Sequence, residues 1–474
     1  MHSLLERTAK RLHAKWHQLP MALVISLALL LINTALALKV FFALTLIVLF
    51  PAHRLVIIGF VALFGLSYDM HFVGGDARTS FLNELNQPTA VLMGSFLSLF
   101  FLLGVRALIH PSLNQRAWTF TGMAWVTGFY LICVQALAQA KETIEIFPWV
   151  YALQASFLIS LTKFIWYFAY DLQRNPNQQP FKWIQHLAYY RPFWSFFFYA
   201  PIPKGENYWH QIEIQDPHQL AIQRVKAVTL VLWATVLEFT RLQLNQFLQQ
   251  IADSKPDKEF VYSIQQSLAQ LSQPQPLSIS QAWTSVLIDF ADNLLLFTAY
   301  GHFIIGLVWF IGYRAPLNTN RPLTAKTPLD FFQRYNFYFK ELLFQFFFFP
   351  VFARLNRLPD KWRIAVSLFV AVGIGNFLII WGRNTDTHLK MGLPQSLSHF
   401  SNYAVYCVLL TLLLLPSTLA SMARAKHKSR PALGCVNVAL TILAFAVIRI
   451  FDEQFAGLFK YNIALLKILF GMAS

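Results

Sequence analysis

The chain has 474 residues, of which 56% are hydrophobic and 13% charged, with 46 Phe and 13 Trp. A soluble domain carries about 25% charged residues, so a wholly soluble globular protein is excluded. The net charge of +16 would suggest nucleic acid in a soluble chain, but the basic residues sit at the ends of apolar segments. The positive-inside rule accounts for them there, and no nucleic-acid partner is expected.

Residues 1–18 are basic, yet the apolar stretch Met21–Phe50 is too long for a signal peptide and no cleavage site stands out, so a retained anchor is expected. Windows of ~20 apolar residues, enough to cross ~30 Å of hydrocarbon, then recur to the end of the chain. The predicted spans are Met21–Leu38, Val40–Phe50 with Leu55–Leu66, Val91–Leu108, Trp118–Leu137, Pro148–Tyr170, Val225–Thr240, Trp283–Ile311, Ile364–Trp381, Tyr403–Leu419, Ala432–Ile448 and Ala456–Phe470. About eleven helices are thus expected, in an all-α polytopic membrane protein. Ala252–Ser280, rich in Gln and Ser and broken by Pro256, Pro274 and Pro276, reads as a solvated external loop with some helix. Cys133, Cys407 and Cys435 lie in or beside apolar segments, without metal-ligand spacing or a disulfide pattern. No sustained internal repeat is visible, which argues against an inverted-repeat transporter.

Connector charges alternate along this series. Asp69–Pro88, Lys141–Ile146 and the pair Asp452 and Glu453 are acidic and read as outside. Arg106–Arg116, Asp171–Arg191, Arg314–Lys340 and Ala423–Arg430 are basic and read as inside, which places both termini in the cytoplasm. The alternation holds if Glu341–Phe352 dips into the membrane without crossing, because Arg354, Arg357, Lys361 and Arg363 follow it.

The most informative segment is AYGHFIIGLVWFIGYRAPLNTNRPLTAKTPLDFFQRYN, Ala299 to Asn336. Gly306 and Gly312 permit close helix packing. Pro316, Asn318, Asn320 and Pro322 force extended backbone, tolerated at membrane depth only inside protein or along a cavity. The ungapped spacing of Tyr300, Gly306, Gly312, Arg314, Pro316, Asn318, Asn320, Pro322, Asp330, Phe331, Phe332, Arg334, Tyr335 and Asn336 resembles the signature of the membrane-bound O-acyltransferase (MBOAT) superfamily. The resemblance is to its bacterial polysaccharide-acetylating and teichoic-acid-alanylating branch in particular. Phe193–Gly205, with Ala200-Pro201-Ile202, and Gly373–Phe377 running on to Trp381-Gly382 are weaker likenesses to the same family. On this reading residues 1–190 are N-terminal transmembrane helices, 191–400 the catalytic core and 401–474 C-terminal transmembrane helices.

The resemblance implies short tilted helices around a central tunnel, with a re-entrant segment, in a bacterial inner membrane. It implies transfer of an acyl group, acetyl foremost, from a cytoplasmic acyl-CoA or acyl-carrier thioester to a hydroxyl of a cell-surface glycan, glycolipid or carrier. No bound cofactor or metal is implied; membrane lipids, donor and acceptor are the partners, with room for a separate periplasmic transferase. The family's general base is a histidine, suited to proton transfer near neutral pH. Its slot holds Asn376, which cannot take up a proton. The nearest histidine, His388, lies about 18 Å further along a regular helix, so it serves only if the helix breaks. It reads equally as a polar residue closing a helix. Asn336 holds a supporting slot, hydrogen-bonding the acyl carbonyl or orienting the base. Tyr300, His302, Asp330, Arg334 and Tyr335 complete the substrate-binding set, although His302 also reads as a structural residue. Asp289 and Asp292 reach His302 only if their segment folds back. Arg334, Lys340 and Arg354 suit either donor phosphates or lipid headgroups, and His399 reads as interfacial. On the charge pattern Asn336 is approached from the inner side and His388 from the outer. Two other classes remain open: a catalytically degenerate binding protein, motivated by the missing Trp-His-Gly, and a lipid or polysaccharide transporter.

Overall fold

The computed structural model describes residues 18–30, 34–65, 87–108, 115–140, 147–173, 188, 206–254, 260–273, 276–427, 434–452 and 459–472. Residues 1–17, the motif Phe193–Gly205, Glu453 and all or part of the connectors Asp69–Pro88, Arg106–Arg116, Lys141–Ile146, Asp171–Arg191 and Ala423–Arg430 lie outside them. The described residues are mostly helical, without a strand; Glu213 and Tyr313 form an isolated antiparallel bridge. Pro217–Ser254, Ile279–Ile311, Asp360–Arg383 and Ser401–Met422 are long and apolar enough to cross a membrane, and mark a membrane protein. Ala37–Leu49 and Pro51–Val61, bent by 115°, make a fifth if counted as one span. The bend falls at Pro51, which lacks an N–H and opens the single turn Pro51–His53.

The chain divides into two compact units. The first comprises Met1–Thr235, His302–Pro316 and Gly382–Ser396. Met21–Leu38, predicted as one span, is two helices here, Leu19–Leu29 and Thr34–Leu49. The Leu30 N–H turns to Leu27 O at 3.1 Å, a tightened closure that ends the first ladder. Pro88–Leu108 packs on Pro148–Gln173 through small residues repeating every fourth position. These are Ala90, Gly94 and Ser98 on one helix and Ala152, Ser156 and Ser160 on the other, all buried. A Cβ on Gly94 would strike Ser156 Oγ and the Leu153 carbonyl, so the backbones touch directly. Gly306 likewise lies against Val231 and the Ala227 carbonyl, the close packing expected from its position. Gly312, at φ +115°, ends the Ile279–Ile311 helix. It accepts from Ile214 N at 2.8 Å, while Arg314 N donates to Ile212 O at 2.8 Å.

The second unit comprises Val236–Gly301, Leu317–Trp381 and Leu397–Ser474. One core cluster joins Phe331, Leu368, Val372, Leu410, Leu414 and Phe445. A second contains Ile264 and Leu268 with Leu277, Leu465, Ile468 and Leu469. Ala252–Ser280, expected as a solvated loop with some helix, contains the helix Ile264–Leu271, whose Ile264 and Leu268 are packed in this core. Ser263 caps it by accepting from Gln266 N at 3.2 Å, and Gln266 Oε1 reaches back to Tyr262 N at 3.0 Å. Phe337–Leu343 continues through the π-helical turns Phe344–Phe348 into Phe349–Arg354, so Glu341–Phe352 is helical. Asp360–Leu368 continues through a second π segment, Phe369–Gly375, into Asn376–Arg383. Such insertions recur at functional sites. Here Gly375 lets the Phe347 ring approach to 2.6 Å from where a Cβ would stand.

Candidate functional site

The candidate catalytic and substrate-binding residues fall in both units, His388 and His302 in the first and Tyr300, Asp330, Arg334, Tyr335, Asn336 and Asn376 in the second. In the first unit the long helix ends at Arg383, and Asn384, at φ −86° and ψ 56°, starts a new one, Thr385–Met391. This supplies the break that His388 requires. The short helix is polar in sequence yet buried: Asn384, Thr385, Asp386 and His388 are all shielded, His388 completely. Its anchors come from the Gln115–Gln139 helix. The Tyr130 hydroxyl donates to Gly382 O at 3.0 Å and meets Thr385 Oγ1 at 2.7 Å, and Gln135 Oε1 accepts from Leu393 N at 3.0 Å. His388 Nδ1 lies 2.6 Å from the buried Ser396 hydroxyl. That contact holds the ring, and the tautomer decides whether Nδ1 donates to the hydroxyl or accepts from it. A buried imidazole with one nitrogen held by a hydroxyl can accept a proton at the other.

His302 sits half-buried, and its Nδ1 makes no hydrogen bond. It does not pair with Asp289 or Asp292, since Ile279–Ile311 is one helix that never folds back. Both aspartates take arginine partners within the second unit instead. Asp289 Oδ2 accepts from Arg449 Nε at 2.6 Å, and Asp452 Oδ2 accepts from Arg449 Nη1 at 3.1 Å. Asp292 Oδ1 accepts from Arg241 Nη1 at 3.2 Å and from Asn245 Nδ2 at 2.6 Å, while Glu238 takes the other two donors of Arg241 at 2.9 Å. Neighbouring guanidinium holds these carboxylates, which removes any reason for a pairing with His302.

In the second unit the Pro/Asn loop finds the partners that its extended backbone needs. Phe337 N donates to Asn318 O at 2.8 Å and Tyr338 N to Asn318 Oδ1 at 3.3 Å. One residue thus satisfies two of the orphan donors that open a helix. Asn320 N reaches Arg334 O at 2.8 Å. Gly301 lies against Asn318, where a Cβ would stand 3.3 Å from Asn318 Cβ. Asn336 sits between these contacts at φ 53° and ψ 57°, and its side chain makes no capping bond. The left-handed backbone is one that Asn adopts far more readily than most residues, so the position is set by backbone geometry and its half-buried carboxamide is left to the surroundings.

The other predicted residues have structural partners. Asn376 is buried and its Oδ1 accepts from the Tyr403 hydroxyl at 2.9 Å, so the slot expected to hold a base braces a tyrosine. Asp330 and Arg334 form an (i, i+4) pair at 2.7 Å, and Arg334 Nη1 also reaches Thr324 Oγ1 at 2.7 Å. Tyr335 packs on Phe331 and Phe297, with its hydroxyl 3.4 Å from the Asn293 carboxamide; turning that amide lets its oxygen face Arg449. Tyr300 is half-buried on the Ile279–Ile311 helix. Lys340 lies over the Phe337 ring with Nζ 3.3 Å from Gln333 O; burial pushes its amine below the usual lysine range. Arg354 is exposed. No group of three or more His, Cys, Asp or Glu able to hold a metal occurs among the described residues.

Sequence reasoning missed Ser396, Tyr130 and Gln135 around His388, and Arg241, Glu238 and Arg449 among the apolar helices. The three charged residues carried a usable signal, because ionisable groups within membrane helices are costly and need partners. Ser396 carried none, since its contact depends on how the chain returns after Gly392. Comparison of the chain with protein-family models gave no match, and comparison with curated proteins gave none either, so these geometries and the sequence motif are what a functional reading rests on.

Proposed function

We propose that this protein is a membrane-embedded O-acyltransferase that moves an acyl group, acetyl foremost, from a cytoplasmic acyl-CoA or acyl-carrier thioester to a hydroxyl of a cell-surface glycan, glycolipid or carrier. The reading includes the finer architecture that the motif implies: about eleven helices, a re-entrant segment and a central tunnel, in a bacterial inner membrane with both termini cytoplasmic. The observation that carries it is the shielded His388 imidazole with Nδ1 at 2.6 Å from Ser396 Oγ. With Nδ1–H donated to that hydroxyl, Nε2 takes the proton of the acceptor O–H as its oxygen attacks the thioester carbonyl. Collapse of the tetrahedral adduct breaks the C–S bond, and the imidazolium returns the proton to the leaving thiolate.

Labelled acetyl-CoA turnover by the purified protein with envelope glycolipid tests the reading. His388→Gln, which keeps a polar group against Ser396 but holds no transferable proton, is expected to lower transfer by about 100-fold or more. Unchanged transfer removes His388 as the base. No thioester consumption by the unaltered protein removes the enzyme.

A second reading, a binding or transport protein, draws on the Arg449 and Arg241 clusters, because buried ionisable groups in membrane helices mark translocation paths as readily as catalytic ones. Vectorial movement of intact lipid in proteoliposomes without thioester loss favours it.

A further inference from the structure

The first unit holds a charge arrangement that neither reading uses. Arg224 is 3% exposed, and no carboxylate pairs with it among the described residues. Its Nε donates to Phe310 O at 3.0 Å, in the last turn of the Ile279–Ile311 helix, and its Nη1 donates to Gln18 Oε1. Its Nη2 is buried with no hydrogen-bond partner. Arg54 reaches the same helix end: a Cβ on Gly312 would stand 2.8 Å from Arg54 Nη1. Arg54 pairs with Glu213 and lies over the Tyr313 ring, 5.6 Å from its centroid. The two guanidiniums are close enough to repel one another. His210 adds Nδ1 at 3.5 Å from Glu213 Oε2.

Of these two obligate positive charges, Arg54 has a carboxylate partner in Glu213 and Arg224 has none among the described residues. Helix-end carbonyls carry partial negative charge and account for one donor of Arg224. They leave Nη2 unsatisfied, and an uncompensated buried charge is costly enough that proteins normally neutralise it. Arginine cannot shed its proton, so an anion must arrive from outside. The guanidinium fork matches a phosphate oxygen pair.

We propose that Arg224 and Arg54, beside Gly312, form a binding site for a phosphate-bearing anion. A phospholipid headgroup and a soluble phosphate share this chemistry, and the position beside the Pro51 bend suits either. The site stands independently of acyl transfer.

Thermal unfolding of the full-length protein in neutral detergent tests it, with three probes: inorganic phosphate, phosphatidylglycerol micelles and phosphatidylcholine micelles. A melting temperature that rises with phosphatidylglycerol but not with phosphatidylcholine or phosphate assigns a headgroup; a rise with phosphate assigns a soluble anion. In either case Arg224→Gln is expected to weaken the probe by about ten-fold or more, as loss of a charged hydrogen bond does. Arg224→Lys, which keeps the charge and loses the fork, should fall between, and the exposed Arg357→Gln should leave the shift unchanged. Should Arg224→Gln fail to fold, the unaltered protein still decides. No rise with any probe overturns the proposal and leaves the two arginines as helix caps, as does a rise that Arg224→Lys retains in full.

Discussion

Charge is handled in opposite ways in the two units. In the second, each buried guanidinium is matched by acids: Arg449 by Asp289 and Asp452, Arg241 by Glu238 and Asp292. In the first, Arg54 is matched by Glu213, while Arg224 has no carboxylate among the described residues. A matched network keeps its charges among its own residues and fixes which helices are neighbours, the register role best attested for buried ion pairs. An unmatched guanidinium is a site in waiting. Asn376 and His388 are both held by hydroxyls, the amide by Tyr403 and the imidazole Nδ1 by Ser396.

The sharpest way to break this comparison is to unmatch the matched unit. Arg449→Leu strands Asp289 and Asp452 and is expected to cost about 3–5 kcal/mol of stability, read by thermal unfolding in detergent. Adding Asp289→Asn and Asp452→Asn should recover most of it. If the triple variant is no more stable than the single one, the pairs were not matched in the sense argued. Next in size is Gly306→Leu, which drives a side chain into Val231 and the Ala227 carbonyl. Overpacking of this kind costs about 1–3 kcal/mol, and it should lower folded yield without touching any charged group.

The positions of the long spans were legible, because a run of about 20 apolar residues admits few alternatives in water. The break between Leu19–Leu29 and Thr34–Leu49 was not, since hydropathy is blind to a Leu30 N–H that closes on Leu27. The close approach at Gly306 could be read from its small side chain. The Ala90, Gly94, Ser98 stripe was equally readable and was hidden by a search for apolar length. The Pro/Asn loop announced that its backbone needed partners, but not that Asn318 would serve the helix that begins at Phe337. For the candidate site, the sequence Arg383-Asn384-Thr385-Asp386 hinted at the break before His388. The Ser396 contact, eight residues on, depends on the turn at Gly392, and the Asp289–Arg449 pair spans 160 residues. Neither has a local signature.

Asn336 separates geometry from chemistry at the next smaller scale. Asn336→Ala places an unsuited residue at φ 53° and is expected to cost about 1 kcal/mol. Asn336→Gly keeps that backbone at no steric cost, so it should unfold like the unaltered protein while removing the carboxamide. Loss of acyl transfer in the glycine variant assigns the amide a chemical role; retained transfer confines Asn336 to shaping the turn.

Asp330 should show the smallest effect. Its carboxylate meets Arg334 at 2.7 Å and Lys326 N at 3.3 Å while Thr327 caps the helix, and both members of the pair are about a third exposed. Solvent screens such a pair, and Asp330→Asn is expected to cost no more than about 0.5 kcal/mol. On the geometry it is a brace for the Pro328–Arg334 helix, so transfer should hardly change. A large loss of transfer with unfolding unaltered would instead return Asp330 to the substrate-binding set that the motif implies, because a brace that scarcely affects folding has no other way to slow the reaction.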